Sequence, residues 1–209
     1  MLTLNNQNQL REKAETPKSD GAKQLLTEGN RRFVSGDLSL KDMGVKRRKE
    51  LSTKGQKPFA VIVCCSDSRV PPELLFDQAL GDLFVVRVAG NVVDPVAVGS
   101  VEYAVEHLNT PLVVVMGHEK CGAVKAAVDG GEAPGSIGSI LCKIKPSVLK
   151  AKASGAAGDQ LYEKTADENI KSTIEDLKKS PVISHFIKDG KAAIVGAKYH
   201  LESGEVSFD

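Results

Sequence analysis

The stretch AVIVCCSDSRV, residues 60–70, decides how this chain is to be read. Its first half, Ala60 to Val63, is an unbroken run of small and branched apolar residues, the pattern of a strand buried on both faces of a parallel sheet. Its second half sets Cys65, Asp67 and Arg69 at alternate positions. In an extended chain residues two apart face the same way, so all three are expected to look into one pocket. A buried strand that ends in a thiol, a carboxylate and a guanidinium puts chemistry at the carboxyl edge of a sheet, where open α/β folds gather their functional groups.

Working outward, comparable runs recur at Phe59 to Val63, Leu83 to Val88, Leu112 to Met116 and Ala192 to Val195, separated by segments of helical character. The alternation predicts an α/β fold, a single domain with a mainly parallel central sheet flanked by helices. In DPVAVGSVEYAVEHLN, residues 94–109, Asp94 suits an N-cap, Pro95 the first helical position, and Val98, Val101, Val105 and Leu108 one helix face. Ile170, Ile174 and Leu177 align on another helix, and SPVISHFIKDG, residues 180–190, restarts with a Ser-Pro cap. Leu25, Leu26, Phe33 and Val34 mark an N-terminal helix ending near Gly36. Residues 1–20 read as a flexible polar arm, leaving 21–209 as the domain. The basic segment 41–57 reads as a solvated face, because acids flank its lysines and arginines.

A net charge of +1 over 209 residues gives no electrostatic reason to expect nucleic acid or an anionic membrane as partner. A small-molecule substrate is expected instead. No apolar stretch reaches the roughly 18 residues of a membrane span, and the polar start lacks the apolar core of a secretory leader. Four cysteines, two of them adjacent, make a poor disulfide framework and a better reduced set. The expected compartment is the cytoplasm; a periplasmic protein whose leader had been removed is the alternative.

A second strand, in PLVVVMGHEKCGAV at residues 111–124, ends at His118 and Cys121. With Cys65 these give two soft thiolates and an imidazole, a set that suits zinc and leaves a fourth tetrahedral position open. Small buried thiols and a core histidine would account for the same residues, and a structural salt bridge would account for Asp67 with Arg69. An ion pair two residues from a thiol is costly unless something exploits it, which favours the functional reading.

CSDSR at 65–69 followed by HEKCG at 118–122 resembles the beta-class carbonic anhydrases, and the likeness extends from LLTEGNRRFVSGD near the start to VGAKYHLESGEVSF near the end. The resemblance implies one zinc per chain held by Cys65, His118 and Cys121, and reversible hydration of carbon dioxide to bicarbonate and a proton by zinc-bound hydroxide. It implies that Arg69 restrains Asp67, and that Asp67 orients the attacking group. It also implies a homodimer or tetramer. Gln56 matches a glutamine that hydrogen-bonds bicarbonate across the subunit boundary, and its plainer reading is an exposed turn residue. Phe84 and Tyr103 match apolar pocket walls, equally readable as core residues; Gly122 matches a glycine whose N–H faces the bound anion. Ala89 stands where plant-type members often carry valine. Relatives whose site bicarbonate closes carry a tryptophan three residues before the first zinc cysteine; here that position is Ile62, and the chain has no tryptophan. An open site is therefore expected. Two alternatives stand: hydrolysis of a carbon dioxide analogue such as carbon disulfide, and a non-catalytic zinc or thiol-redox module using Cys64 with Cys65.

Overall fold

A computed structural model describes residues 17–39, 41 and 43–209. Five strands, β1 (Ala60–Cys64), β2 (Leu83–Arg87), β3 (Leu112–His118), β4 (Ala193–Tyr199) and β5 (Val206–Phe208), form one sheet in the order β2-β1-β3-β4-β5. The first four pair in parallel and β5 pairs antiparallel with β4. The expected α/β fold with a mainly parallel sheet is the one observed. Eight helices accompany the sheet among the described residues: α1 (Ser19–Ser35), α2 (Val45–Lys54), α3 (Pro72–Leu75), α4 (Pro95–Glu106), α5 (Gly122–Asp129), α6 (Ile137–Ala153), α7 (Asp159–Lys178) and α8 (Pro181–Lys188). None of them is long and apolar enough to cross a membrane.

The central strands β1 and β3 are buried along their whole length, which is why their sequences are apolar without alternation. Their side chains still alternate between two cores. Ile62, Cys64, Val114 and Met116 meet Ala22 and Leu26 of α1 on one face. Val61, Val63, Val113 and Val115 meet Val101, Val105, Ile170, Leu177 and Ile183 on the other. Each fully buried Leu, Ile or Val contributes about 1.5–3 kcal/mol relative to exposure. Buried Asn30 ties α1 down: its amide donates to Leu75 O (3.1 Å) and Gly204 O (2.9 Å), and its carbonyl accepts from Val206 N (2.8 Å).

The caps fall where expected. Asp94 accepts from Ala97 N at 2.8 Å, and Ser180 accepts from Ile183 N at 3.2 Å. The N-terminal helix begins at Ser19, two residues inside the polar arm; residues 1–16 of that arm lie outside the described residues. Helix α2 buries none of its residues, in keeping with a solvated basic segment. Helix α6 is masked in the sequence by Pro146, which reads as a breaker yet sits inside it. Ile140, Ile144, Val148 and Ala151 nevertheless bury one side of that helix.

Candidate metal centre

Strand β1 ends at Cys64, and its neighbour β3 continues to His118. The register pairs Cys64 with Met116, so the next residue on β1, Cys65, arrives beside the end of β3. Cys121 follows as the N-cap of α5, after Lys120 turns the chain with φ of 51°. Cys65, His118 and Cys121 are all buried, and their ligand atoms lie within 4.8 Å of one another. Among the described residues no second group of this kind occurs.

His118 is 1% exposed, and its Nδ1 lies 2.8 Å from Glu119 O. A carbonyl can only accept, so Nδ1 carries the proton and Nε2 keeps its lone pair. That Nε2 is buried with no hydrogen-bond partner, a condition that costs about 1–3 kcal/mol unless a ligand answers it. A thiophilic cation answers it and the two sulfurs together, so this donor set fits zinc. The two sulfurs are linked to each other. The Cys121 thiol hydrogen-bonds Cys65 and holds it below the usual thiol range, against the opposing effect of burial, with the N–H groups of Gly90 and Asp67 assisting. Those N–H groups reach Cys65 Sγ at 3.3 and 3.4 Å. Cys121, beside that negative sulfur and buried, is pushed up.

Asp67 and Arg69 do pair, but not by strand alternation. The strand has already ended; Val70 N bonds Asp67 O at 3.0 Å, and the Asp67 carboxylate accepts from the N–H of Arg69 at 2.9 Å in an Asx turn. Arg69 then folds back, its Nε reaching Oδ1 at 3.0 Å and its Nη2 reaching Oδ2 at 2.8 Å. The arginine holds Asp67 down at about 2, although the pair sits at the rim of a cleft and the Arg69 side chain is 52% exposed. Asp67 is outside the three-ligand group. Ile62, in the position where gated relatives have tryptophan, is fully buried in the core beneath. The cleft, about 470 Å³, is lined by Arg69, Lys120, Tyr199, Leu201 and Glu202.

Two residues of this site carry no signal in sequence spacing. Arg87, at the end of β2, donates from Nε to Cys65 O (3.0 Å) and from Nη2 to Asp67 O (2.6 Å), gripping the loop that carries both groups. Gly90 supplies its N–H to Cys65 from a tight turn, Ala89–Asn91. A terminal strand arginine and a glycine are too common to be singled out without the fold.

The other expected pocket residues occupy several different elements. Ala89 opens the turn that contains Gly90, and Gly122 follows Cys121 as the first residue of α5, exposed, where a Cβ would meet no atom within 4 Å. Phe84 is half-buried on the edge strand, its ring 6.3 Å from that of Tyr103. Tyr103 is 49% exposed, which overturns its reading as a helix core residue. Gln56 is exposed between α2 and β1 and makes no hydrogen bond to the three-ligand group. Cys64 and Cys65 lie in different clusters, and all four cysteines are free thiols; burial pushes Cys64 up to about 12. The adjacent pair is not joined in a disulfide.

A sequence profile described as carbonic anhydrase matches residues 60–206. The chain belongs to the beta-carbonic anhydrase family. Among its relatives in this family, the carbonic anhydrase of Mycolicibacterium smegmatis is 44% identical over 188 residues, covering 88% of this chain and 89% of that protein. Carbonic anhydrase 2 of Mycobacterium tuberculosis is also 44% identical, over 86% of this chain and 87% of its own. Among solved structures, the beta-carbonic anhydrase CcaA superposes with a TM-score of 0.71 at 30% identity, covering 88% of this chain and 93% of that one. A tetrameric beta-carbonic anhydrase of Sordaria macrospora gives 0.71 at 25% identity, over 78% and 87%.

Proposed function

We propose that this beta-carbonic anhydrase family member catalyses the zinc-dependent hydration of carbon dioxide to bicarbonate and a proton. The observation that carries the reading is the orphaned Nε2 of His118 grouped with two buried sulfurs, their ligand atoms within 4.8 Å of one another, close in the chain to a carboxylate paired with Arg69. Cys65, His118 and Cys121 would hold the metal. Zinc, when bound, supplies a Lewis acid that lowers the pKa of water enough to give a nucleophile near neutral pH.

The chain's own residues do the orienting. Arg69 donates to both oxygens of Asp67, which fixes the carboxylate plane and keeps it ionised. Each carboxylate oxygen has two lone-pair sites, so Oδ2, with one donor from Arg69, retains capacity to accept a proton donor from the reacting side. An acceptor preset in this way costs no reorganisation during the reaction. Phe84, Ala89 and Tyr103 serve as apolar wall for a substrate with no charge, and the Gly122 N–H at a helix start suits the anionic product.

The assembly is a homodimer or a tetramer built from it, with Gln56 reaching the partner's pocket. Supporting this, Gln56 is exposed, α2 buries nothing within its own chain, and Val96 and Tyr103 leave apolar surface uncovered beside edge strand β2. The cytoplasm is the proposed compartment, supported by four free thiols. Stopped-flow carbon dioxide hydration by the purified zinc protein tests the activity, with sedimentation at micromolar concentration testing the assembly. No hydration above the buffer rate at full zinc content would overturn the first; a fully active monomer would overturn the second.

A further inference from the structure

Helix α7 packs against the Ala89–Asn91 turn, and two of its polar side chains are nearly fully buried there: Asn169 at 1% and Thr173 at 3% exposure. Four residues apart, they share one helix face. Asn169 Nδ2 donates to Gly90 O at 2.7 Å and Thr173 Oγ1 donates to Asn91 O at 3.1 Å. Apolar side chains would pack this helix against the sheet at no cost in polar burial, as Ile170 and Leu177 do in the same helix. The polar pair therefore answers a need of the turn.

The turn has such a need. Gly90 (φ 70°) and Asn91 (φ 47°) are consecutive left-handed residues, and two such residues in a row hold one geometry best when their carbonyls are tied down. Asn91 N closes the turn on Val88 O at 2.8 Å. What the conformation achieves is to aim Gly90 N–H at Cys65 Sγ, 3.3 Å away. A cation held by two thiolates has much of its charge neutralised, and an N–H···S bond draws electron density from the sulfur and gives part of that Lewis acidity back.

We infer that Asn169 and Thr173 are positioning residues for the metal centre, acting through the Ala89–Asn91 turn to hold the Gly90 N–H on the Cys65 sulfur. The inference rests on the reading of Cys65, His118 and Cys121 as a zinc site. Neither residue touches the metal ligands in the hydrogen bonds described; each acts at one remove, on the carbonyl of a turn residue.

The test uses the full chain loaded with cobalt(II), whose thiolate charge-transfer band reports electron density on sulfur, together with zinc affinity by chelator competition and melting of the metal-free protein. Asn169→Ala and Thr173→Val should shift the band to longer wavelength and weaken zinc binding about 10–100-fold. Thr173→Ser, which keeps the hydroxyl, should retain the native band and affinity. Lowered melting with native band and native affinity in both variants would overturn the inference, leaving the pair as ties between α7 and the sheet. A Thr173→Ser protein that behaves like Thr173→Val would overturn it too. If Asn169→Ala does not fold, the Thr173 pair decides by the same two readouts. None of them depends on turnover: absence of carbon dioxide hydration in the native protein would sink the proposed function alone, and an unshifted band in an active enzyme would sink this inference alone.

Discussion

Replacing Asp67 with asparagine isolates the role of the carboxylate. The native group accepts from the Arg69 N–H, Nε and Nη2 at 2.9, 3.0 and 2.8 Å. In Asp67→Asn the Oδ1 side keeps an acceptor, but the new amide nitrogen faces Arg69 Nη2 donor to donor, and the negative charge is gone. Exchanging a charge-assisted bond for a neutral one costs on the order of 1 kcal/mol, about a factor of 5–10. Losing a preset acceptor at the reacting centre costs more, on the order of a hundredfold, and this larger effect should dominate. Zinc content should not change, because Asp67 is outside the ligand group. The assay is stopped-flow carbon dioxide hydration with metal analysis of the same sample. A native rate at full zinc content would refute the reasoning, and so would loss of zinc in proportion to activity. Arg69→Ala adds a second arm: it leaves the carboxylate unrestrained beside the metal, so cobalt spectra should show a changed coordination set along with lost activity.

Cys121→Ser removes a soft donor and should lose most bound zinc, measured by chelator competition; full occupancy with native activity would contradict the ligand assignment. Because Asp67 is held at about 2, it stays ionised through the neutral range, so activity should rise with pH through one titration that is not its own. A steep cooperative loss on acidification, reversed by removing bicarbonate, would show that Ile62 does not keep the site open. Burial works to raise Asp77, but Ser39 and Arg32, each bonded to it at 2.5 Å, leave it below the usual carboxylate range. A folded-state pKa below the unfolded value of about 3.9 stabilises above that pH and is lost as pH falls through the folded value. Acid unfolding of Asp77→Asn should therefore be shallower than that of the native protein. In Gly29→Ala the new Cβ would sit 1.8 Å from Phe76 O, a backbone atom that cannot rotate away, and the loss of stability should exceed about 4 kcal/mol by urea unfolding.

The sequence by itself determined what depends on residue type and short spacing. Valine-rich runs identified the four parallel strands, the Asp94-Pro95 and Ser180-Pro181 signals located two helix starts, and a His with two Cys named the metal, because ligand softness is a property of the atoms and not of the fold. The tertiary structure decided what depends on which strands become neighbours. Cys65 and His118 meet because β1 and β3 pair in the centre of the sheet, an adjacency that local periodicity does not encode. Asp67 reaches Arg69 through a turn and not along a strand, since the carboxylate's bond to the Arg69 N–H competes with extension once pairing with β2 and β3 has ended at Cys64. Helix α6 stayed hidden because Pro146 obeys a local rule that burial of Ile144 and Val148 overrides, and β5 is three residues long, too short for a pattern. Arg87 and Asn169 act on backbone carbonyls 20 and 79 residues away. A carbonyl has no side-chain identity to recognise, so only its position in the folded chain could reveal that those two side chains hold the loops around the metal centre.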